Sequence, residues 1–313
     1  MPPSLSDLAR YLSCPDDGAA VVPSAAGLKC PRCARSFPAP RQNVLELLPS
    51  RPFPLPFEAV PAAYREGYLR EFSHPLEFRD SSRAWGAPEG MLPKWVQSRQ
   101  RQARAVLDFL RCEKIERGAV FCDLSAGAGY CTFEASREYR MVFHCELSAD
   151  SLAYAAAKAK SSQLENIIFV RADYFQPPFR NNMDRLVCLD TLIRGQWHET
   201  AVLASIRRVL AVRGAAVVDF HNWWHNPVRR MGLLRNNFTG NRSYTQSELR
   251  KLLANSGIRR FHAQGFVQEF DPSHILGRFI CPLVPPTRWM VRLQAGSSFL
   301  LEQAEVRGWE SYA

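Results

Sequence analysis

Lysine is scarce: six of the 40 basic side chains are lysine, at 29, 94, 114, 158, 160 and 251, and the rest are arginine. The arginines are scattered as pairs such as Arg207-Arg208, Arg229-Arg230 and Arg259-Arg260. They form no basic tail of the kind that marks a nucleic-acid arm. No apolar run approaches the roughly 20 residues that a membrane-spanning helix needs. The opening stretch MPPSLSDLARYLSC carries Asp7 and Arg10 where a secretory signal needs its apolar core. Nine cysteines, an odd number without an export signal, do not read as a disulfide framework. These absences exclude secretion, a membrane anchor and a coiled-coil or collagen-like rod as first readings, and they predict a cytoplasmic protein.

What is present is enough apolar material to fill a core: 313 residues, 46% hydrophobic and 22% charged. At ~100–200 residues per domain, the length fits one large domain with a small module, or two unequal domains. The net charge of +10 suits a phosphate-bearing partner, whether RNA, a nucleotide-like substrate or a lipid headgroup. Biased codon usage with a solvated surface explains it as well. Cys122, Cys145 and Cys188 lie in apolar, strand-like runs and read as buried packing residues.

At the start of the chain, Cys30-Pro31-Arg32-Cys33 is a knuckle whose tight turn lets two thiolates reach one metal. Cys14-Pro15 begins a second knuckle, with Asp17 three residues after Cys14. A carboxylate oxygen also binds zinc, so Cys14, Asp17, Cys30 and Cys33 form a possible ligand set for one structural zinc. The other reading is a ribbon that has lost its metal and kept its hairpins. Prolines 49, 52, 54, 56 and 61 make an extended connector. The expected organisation is a ribbon module over 1–50, a linker with a helical cap over 51–100, and a main domain over 101–313. MLPKWVQSRQRQARAVLDFL, with apolar residues at helical spacing, leads into that domain.

The main domain alternates strand and helix. GAVFCDLSAGAGY places Asp123 at the end of an apolar strand, followed by a tight turn at Gly127 and Gly129 and a new helix from Tyr130. Such a turn lets a ligand approach the backbone at a helix N-terminus. MVFHCE ends at Glu146, where an acid can accept from ribose hydroxyls. NIIFVRADYF, DRLVCLDTL and GAAVVDFHNWW close further strands with Asp173, Asp190 and Asp219. Nicotinamide-binding folds want a third glycine where Thr132 stands. The alternation predicts an α/β fold with a parallel sheet.

The order Asp123-x-x-x-Gly127-x-Gly129, then Glu146 and Asp173, resembles the class I methyltransferases that use S-adenosylmethionine. The resemblance runs over about 104–308, through SIRRVLAVRGAAVVDF, YTQSELRKLLANSGI and a terminal hairpin of RRFHAQGFVQEF with SSFLLEQAEVRG. It implies a doubly wound, Rossmann-like seven-stranded sheet with S-adenosylmethionine as cofactor. Asp123, Ser125, Gly127 and Gly129 would surround its methionine part. Glu146 would hold the ribose, Leu147 would pack on the adenine, Asp173 would accept from the adenine amino group, and Tyr174 would lie beside the ring. Asp190 and Thr191 would face the sulfonium or the acceptor. Read without the resemblance, Asp173 and Asp190 serve equally as helix caps. CPDD, LKCPRC, SFP and LELLP similarly resemble the zinc-ribbon module ahead of many bacterial methyltransferases, which has cysteine where Asp17 stands.

Past the fifth strand comes His221-Asn222-Trp223-Trp224-His225-Asn226-Pro227, a pocket lining in composition. Its imidazoles, His221 and His225, and the Asp190 carboxylate are candidate catalytic groups, and the indoles suit an acceptor with an aromatic or apolar part. Packing of the tryptophans on the sheet is the structural alternative. Arg229, Arg230, Arg235 and Arg242 fall in an expected insertion over 221–245, and a second insertion is expected over 271–294. The leading function is methyl transfer to oxygen or nitrogen of a small molecule, a secondary metabolite or sugar intermediate. An RNA base methyltransferase is the alternative, because a ribbon ahead of this fold also resembles certain large-subunit rRNA guanine methyltransferases. A non-catalytic scaffold is the third reading.

Overall fold

The computed structural model describes residues 3–41, 43–55, 62–76, 84, 86–91, 93–110, 118–192, 196–221, 244–258, 261–266, 288–294 and 306–307. The chain opens with a short helix, α1 (Leu5–Ala9), whose Ser4 hydroxyl accepts from the Asp7 N–H at 3.2 Å. A three-stranded antiparallel sheet follows: β1 (Val22–Ser24), β2 (Gly27–Lys29) and β3 (Ser36–Pro38). Gly27 is required there, because a Cβ would stand 2.3 Å from the Phe37 carbonyl oxygen.

Beyond it lie β4 (Val44–Glu46), α2 (Ala62–Ser73) and α3 (Pro93–Leu110). The main body then runs β5 (Val120–Leu124), α4 (Tyr130–Ala135), β6 (Met141–Glu146), α5 (Ala149–Ser161), β7 (Ile167–Arg171), β8 (Met183–Cys188), α6 (Gln196–Val209) and β9 (Leu210–His221). It ends with α7 (Gln246–Asn255), β10 (Phe261–Phe266), β11 (Arg288–Gln294) and β12 (Val306–Arg307). The strands join in the order β12-β10-β11-β9-β8-β5-β6-β7-β4. Among the described strands of this sheet, only β11 runs antiparallel to its neighbours. The inner run from β10 to β7 is the doubly wound, Rossmann-like seven-stranded sheet implied by the sequence. Its central strands are buried on both faces, which explains why they read as continuous apolar runs. Helix α3 buries Ala103, Val106, Leu107 and Leu110, one stripe at helical spacing.

Two sequence expectations change. The 1–50 module does not end in a boundary: β4 pairs in parallel with β7 and forms the edge of the main sheet. Leu12 bridges to Phe179, Ser13 N–H donates to the Pro178 carbonyl at 3.0 Å, and Leu12, Leu28 and Phe37 share one core cluster with Val120 and Phe143. A three-residue strand carries no periodicity to reveal such pairing. The terminal hairpin also differs. The antiparallel partner of β10 is β11, inside the stretch expected as the 271–294 insertion. Prolines 282, 285 and 286 precede Arg288, and Met290 and Val291 are fully buried between β9 and β10. Of SSFLLEQAEVRG, only Val306–Arg307 lies among the described residues, paired in parallel with β10.

Arg171, at the end of β7, ties the amino-terminal segments to the sheet. It is 2% exposed; Nη1 donates to Glu46 Oε1 at 2.7 Å and Nε to the Leu147 carbonyl at 3.2 Å. Its Nη2 donates to the carbonyls of Glu71 and His74, at the end of α2, at 2.9 and 2.5 Å. Replacing the guanidinium strands these acceptors, and stranded buried acceptors cost ~1–3 kcal/mol each where water cannot reach them. Arg171→Met is expected to lower unfolding stability by about 2–4 kcal/mol in urea titration; a loss below about 0.5 kcal/mol contradicts the staple.

Candidate functional site

The carboxyl ends of β5, β6, β8 and β9 open onto a cleft of about 540 Å³, within the range of small-molecule sites. After β5 the backbone passes through left-handed φ at Ser125 (66°), Gly127 (53°) and Gly129 (80°) before α4 begins. A Cβ on Gly129 would meet Phe133 at 3.0 Å and His144 at 3.3 Å, so glycine lets the turn lie flat on β6. Ser125 and Gly127 line the cleft; Gly129 sits behind them as the N-cap of α4.

Glu146 holds this turn from the next strand. Its Oε2 accepts from the Gly127 N–H at 2.8 Å, and Oε1 accepts from the N–H groups of Leu147 and Ser148 at 2.7 and 3.0 Å. Burial raises its pKa, and these three donors oppose the rise. Leu147 lies beside it on the cleft wall. Asp123 is nearly buried; Oδ2 accepts from the Thr132 N–H at 2.9 Å and the Thr132 hydroxyl at 2.7 Å. Burial pushes Asp123 up to about 7 despite those bonds. Thr132 in turn meets His144 Nδ1 at 2.9 Å, and burial takes His144 down to about 3, leaving it neutral.

At the β8 end, Asp190 adopts φ 56° and donates its N–H to Asp219 Oδ1 at 2.7 Å. Its carboxylate is ion-paired with Arg99 of α3. The Arg99 guanidinium lies 4.9 Å from the Trp95 ring centroid and donates to Gln102 Oε1 at 2.8 Å. Thr191 turns its hydroxyl back to the Leu189 carbonyl at 2.9 Å, and both Asp190 and Thr191 line the cleft with His221 of β9. Tyr174 lines it too, its hydroxyl bonded to that of Tyr64 and 3.3 Å from His198 Nε2.

Asp173 does not reach the cleft surface. It is fully buried, with Oδ2 accepting from the Tyr68 hydroxyl at 2.5 Å and Oδ1 from the Phe175 N–H at 2.9 Å. His225 and the tryptophans and arginines of 222–243 lie outside the described residues. Sequence reasoning missed the wall supplied by α2 and α3: Tyr64, Tyr68, Trp95, Arg99 and Gln102. The available signal was spacing, since Tyr64/Tyr68 and Trp95/Arg99 are each four apart on one helical face.

The ribbon brings its four candidate ligands together, with their ligand atoms all within 4.8 Å of one another. Cys14 and Cys33 sulfurs are 3.7 Å apart, and Cys30 sulfur is 3.3 Å from Asp17 Oδ2. Two sulfurs each about 2.3 Å from a tetrahedral zinc stand about 3.8 Å apart, so the geometry fits one ion. The Cys33 N–H points to the Cys30 sulfur at 3.5 Å, as in a knuckle.

Residues 121–214 match the family model described as a methyltransferase domain. Over that stretch the chain carries the sequence pattern of a methyltransferase domain. Among solved structures, it is similar to magnesium protoporphyrin IX methyltransferase from Synechocystis PCC 6803 with bound S-adenosylhomocysteine. The TM-score is 0.48 at 15% identity, covering 75% of this chain and 95% of that one. It is also similar to Haemonchus contortus phosphoethanolamine N-methyltransferase 2 in complex with S-adenosyl-L-methionine, with a TM-score of 0.47 at 13% identity and coverage of 63% and 53%. The chain thus spans about half the length of the Haemonchus enzyme. A putative S-adenosyl-L-methionine-dependent methyltransferase from Methanococcus maripaludis aligns with a TM-score of 0.48 at 12% identity, over 72% of this chain and 97% of that one. Likeness of this degree assigns no substrate. No curated protein matches the chain in sequence. Among the described residues, no helix is long and apolar enough to cross a membrane.

Proposed function

We propose that the protein transfers the methyl group of S-adenosylmethionine to an oxygen or nitrogen of a small molecule. The observation that carries this reading is the Glu146 carboxylate, fixed at the end of β6 beside the glycine turn of β5. A carboxylate offers about four acceptor positions. Backbone N–H groups of Gly127, Leu147 and Ser148 take three of them, which leaves one for a ribose hydroxyl at the cleft wall.

Around that anchor the roles divide by position. Leu147 and Tyr174 bound the adenine, with Asp173 below them as acceptor for its amino group. Asp123, Ser125, Gly127 and Gly129 shape the methionine end, where Arg99 and Asp190 supply one charge of each sign for an amino acid. The cofactor supplies a methyl already activated on a sulfonium, so the protein's share is positioning and exclusion of water. His221, at the end of β9 and in the cleft lining, takes a proton from the acceptor in this reading. The rings of Tyr64, Trp95 and Tyr130 in the cleft lining support an acceptor with an apolar or aromatic part.

Calorimetric titration with S-adenosylhomocysteine tests this. Micromolar binding by the wild type, weakened about tenfold or more in a folded Glu146→Ala variant, is the expected result, equivalent to at least 1.4 kcal/mol. Wild type that binds neither S-adenosylmethionine nor S-adenosylhomocysteine refutes it.

The ribbon belongs to the same proposal as a structural zinc site held by Cys14, Asp17, Cys30 and Cys33, a closed set without an open position for chemistry. Elemental analysis is expected to find one zinc per chain, and chelation is expected to lower the melting temperature. A chain free of metal that melts at the same temperature with and without added zinc contradicts the site.

A further inference from the structure

Helix α2 covers one end of the cleft yet is weakly seated. Of its twelve residues, only Tyr64 and Tyr68 are buried, and an element with so few buried residues sits at the low end of local stability. It is held by the rings of Tyr64, Tyr68 and Phe72 against the core and by polar contacts. The Tyr64 hydroxyl bonds that of Tyr174 and lies 3.4 Å from His198 Nε2. Arg171 grips the carbonyls of Glu71 and His74 at the far end. Between these, the Tyr68 hydroxyl accepts from the Phe53 N–H at 2.8 Å and donates to Asp173 Oδ2 at 2.5 Å.

That last bond has a consequence for binding. Asp173 follows β7, next to the strand that ends in Glu146, beneath the stretch of cleft wall formed by Leu147 and Tyr174. A buried carboxylate must keep a donor on each oxygen. The Phe175 N–H satisfies Oδ1 from within the domain, but the donor on Oδ2 comes from outside the sheet, on the weakly seated helix. An exocyclic amine entering this end of the cleft presents the same kind of donor to the same oxygen.

We propose that Tyr68 is an internal stand-in for the nucleobase amine on Asp173, so that α2 is a latch released when the nucleoside binds. This rests on the proposed function, because it takes the ligand to be an adenosyl group. Tyr68 and the amine compete for one oxygen, and the latch favours bases that carry a donor at that position over those that carry a carbonyl.

The test compares S-adenosylhomocysteine with S-inosylhomocysteine, whose base has a carbonyl in place of the amine, on the full-length wild type and Tyr68→Phe. The variant keeps the ring against Phe175 and removes the competing hydroxyl, which also accepts from the Phe53 N–H. Tyr68→Phe is expected to bind S-adenosylhomocysteine at least threefold tighter and to leave the affinity for S-inosylhomocysteine unimproved. In the wild type, saturating S-adenosylhomocysteine is expected to speed amide hydrogen exchange over 62–73, a readout independent of the variant's folding. Weaker or unchanged S-adenosylhomocysteine binding by a folded Tyr68→Phe overturns the stand-in, and added protection of 62–73 overturns the latch. Absence of binding by both proteins removes the proposed function itself, an outcome distinct from either.

Discussion

The Glu146 carboxylate is the interaction on which the site depends. It reaches from β6 to the turn after β5 and fixes three backbone N–H groups, so the cleft wall is set by one side chain before any ligand arrives. The same solution recurs along the sheet. Asp219, Asp190, Asp123, Glu146 and Asp173 stand at or just past the ends of five neighbouring parallel strands. Each carboxylate is held by specific donors or by the Arg99 cation wherever its bonds are described. Acids crowded into a buried edge are tolerable only with such donors. Donors and acceptors held in this way, as around Glu146, are what a cleft needs to orient a ligand.

The first hundred residues complete the cleft. Strand β4 extends the sheet, Arg171 ties it to the end of α2, and α2 and α3 wall the opening with Tyr64, Tyr68, Trp95 and Arg99. The ribbon leads directly into β4, and Asp16 accepts from the N–H and hydroxyl of Ser50 at 2.6 and 3.0 Å. The ribbon and the segment that leads toward the cleft mouth are therefore joined by a short, hydrogen-bonded path. The aromatic wall sits on helices outside the sheet, whereas the glycine turn and Glu146 sit on the sheet itself.

Strands β5 to β9 were legible because each is an apolar run closed by an acid or a glycine turn, a signal that lies within a dozen residues. Glu146, Ser125, Gly127 and Asp190 were legible for the same reason, and the cleft gathers them. What escaped was set by distant partners. The place of β4 depends on β7, some 120 residues on. The burial of Asp173 depends on a tyrosine 105 residues earlier in the chain. Strand β11 lies in the stretch expected as the 271–294 insertion, although its residues pair with β9 along seven positions. The Tyr64/Tyr68 spacing was visible in the sequence, but nothing local distinguishes a cap facing a cleft from an ordinary packed helix.

A crystal structure of the protein with S-adenosylhomocysteine tests the central claim most directly. The cleft reading predicts the ribose on Glu146, the base between Leu147 and Tyr174, and the amino-acid end beside Arg99 and Asp190. Density for the ligand at any other place, with the Glu146 wall empty at saturating ligand, contradicts it.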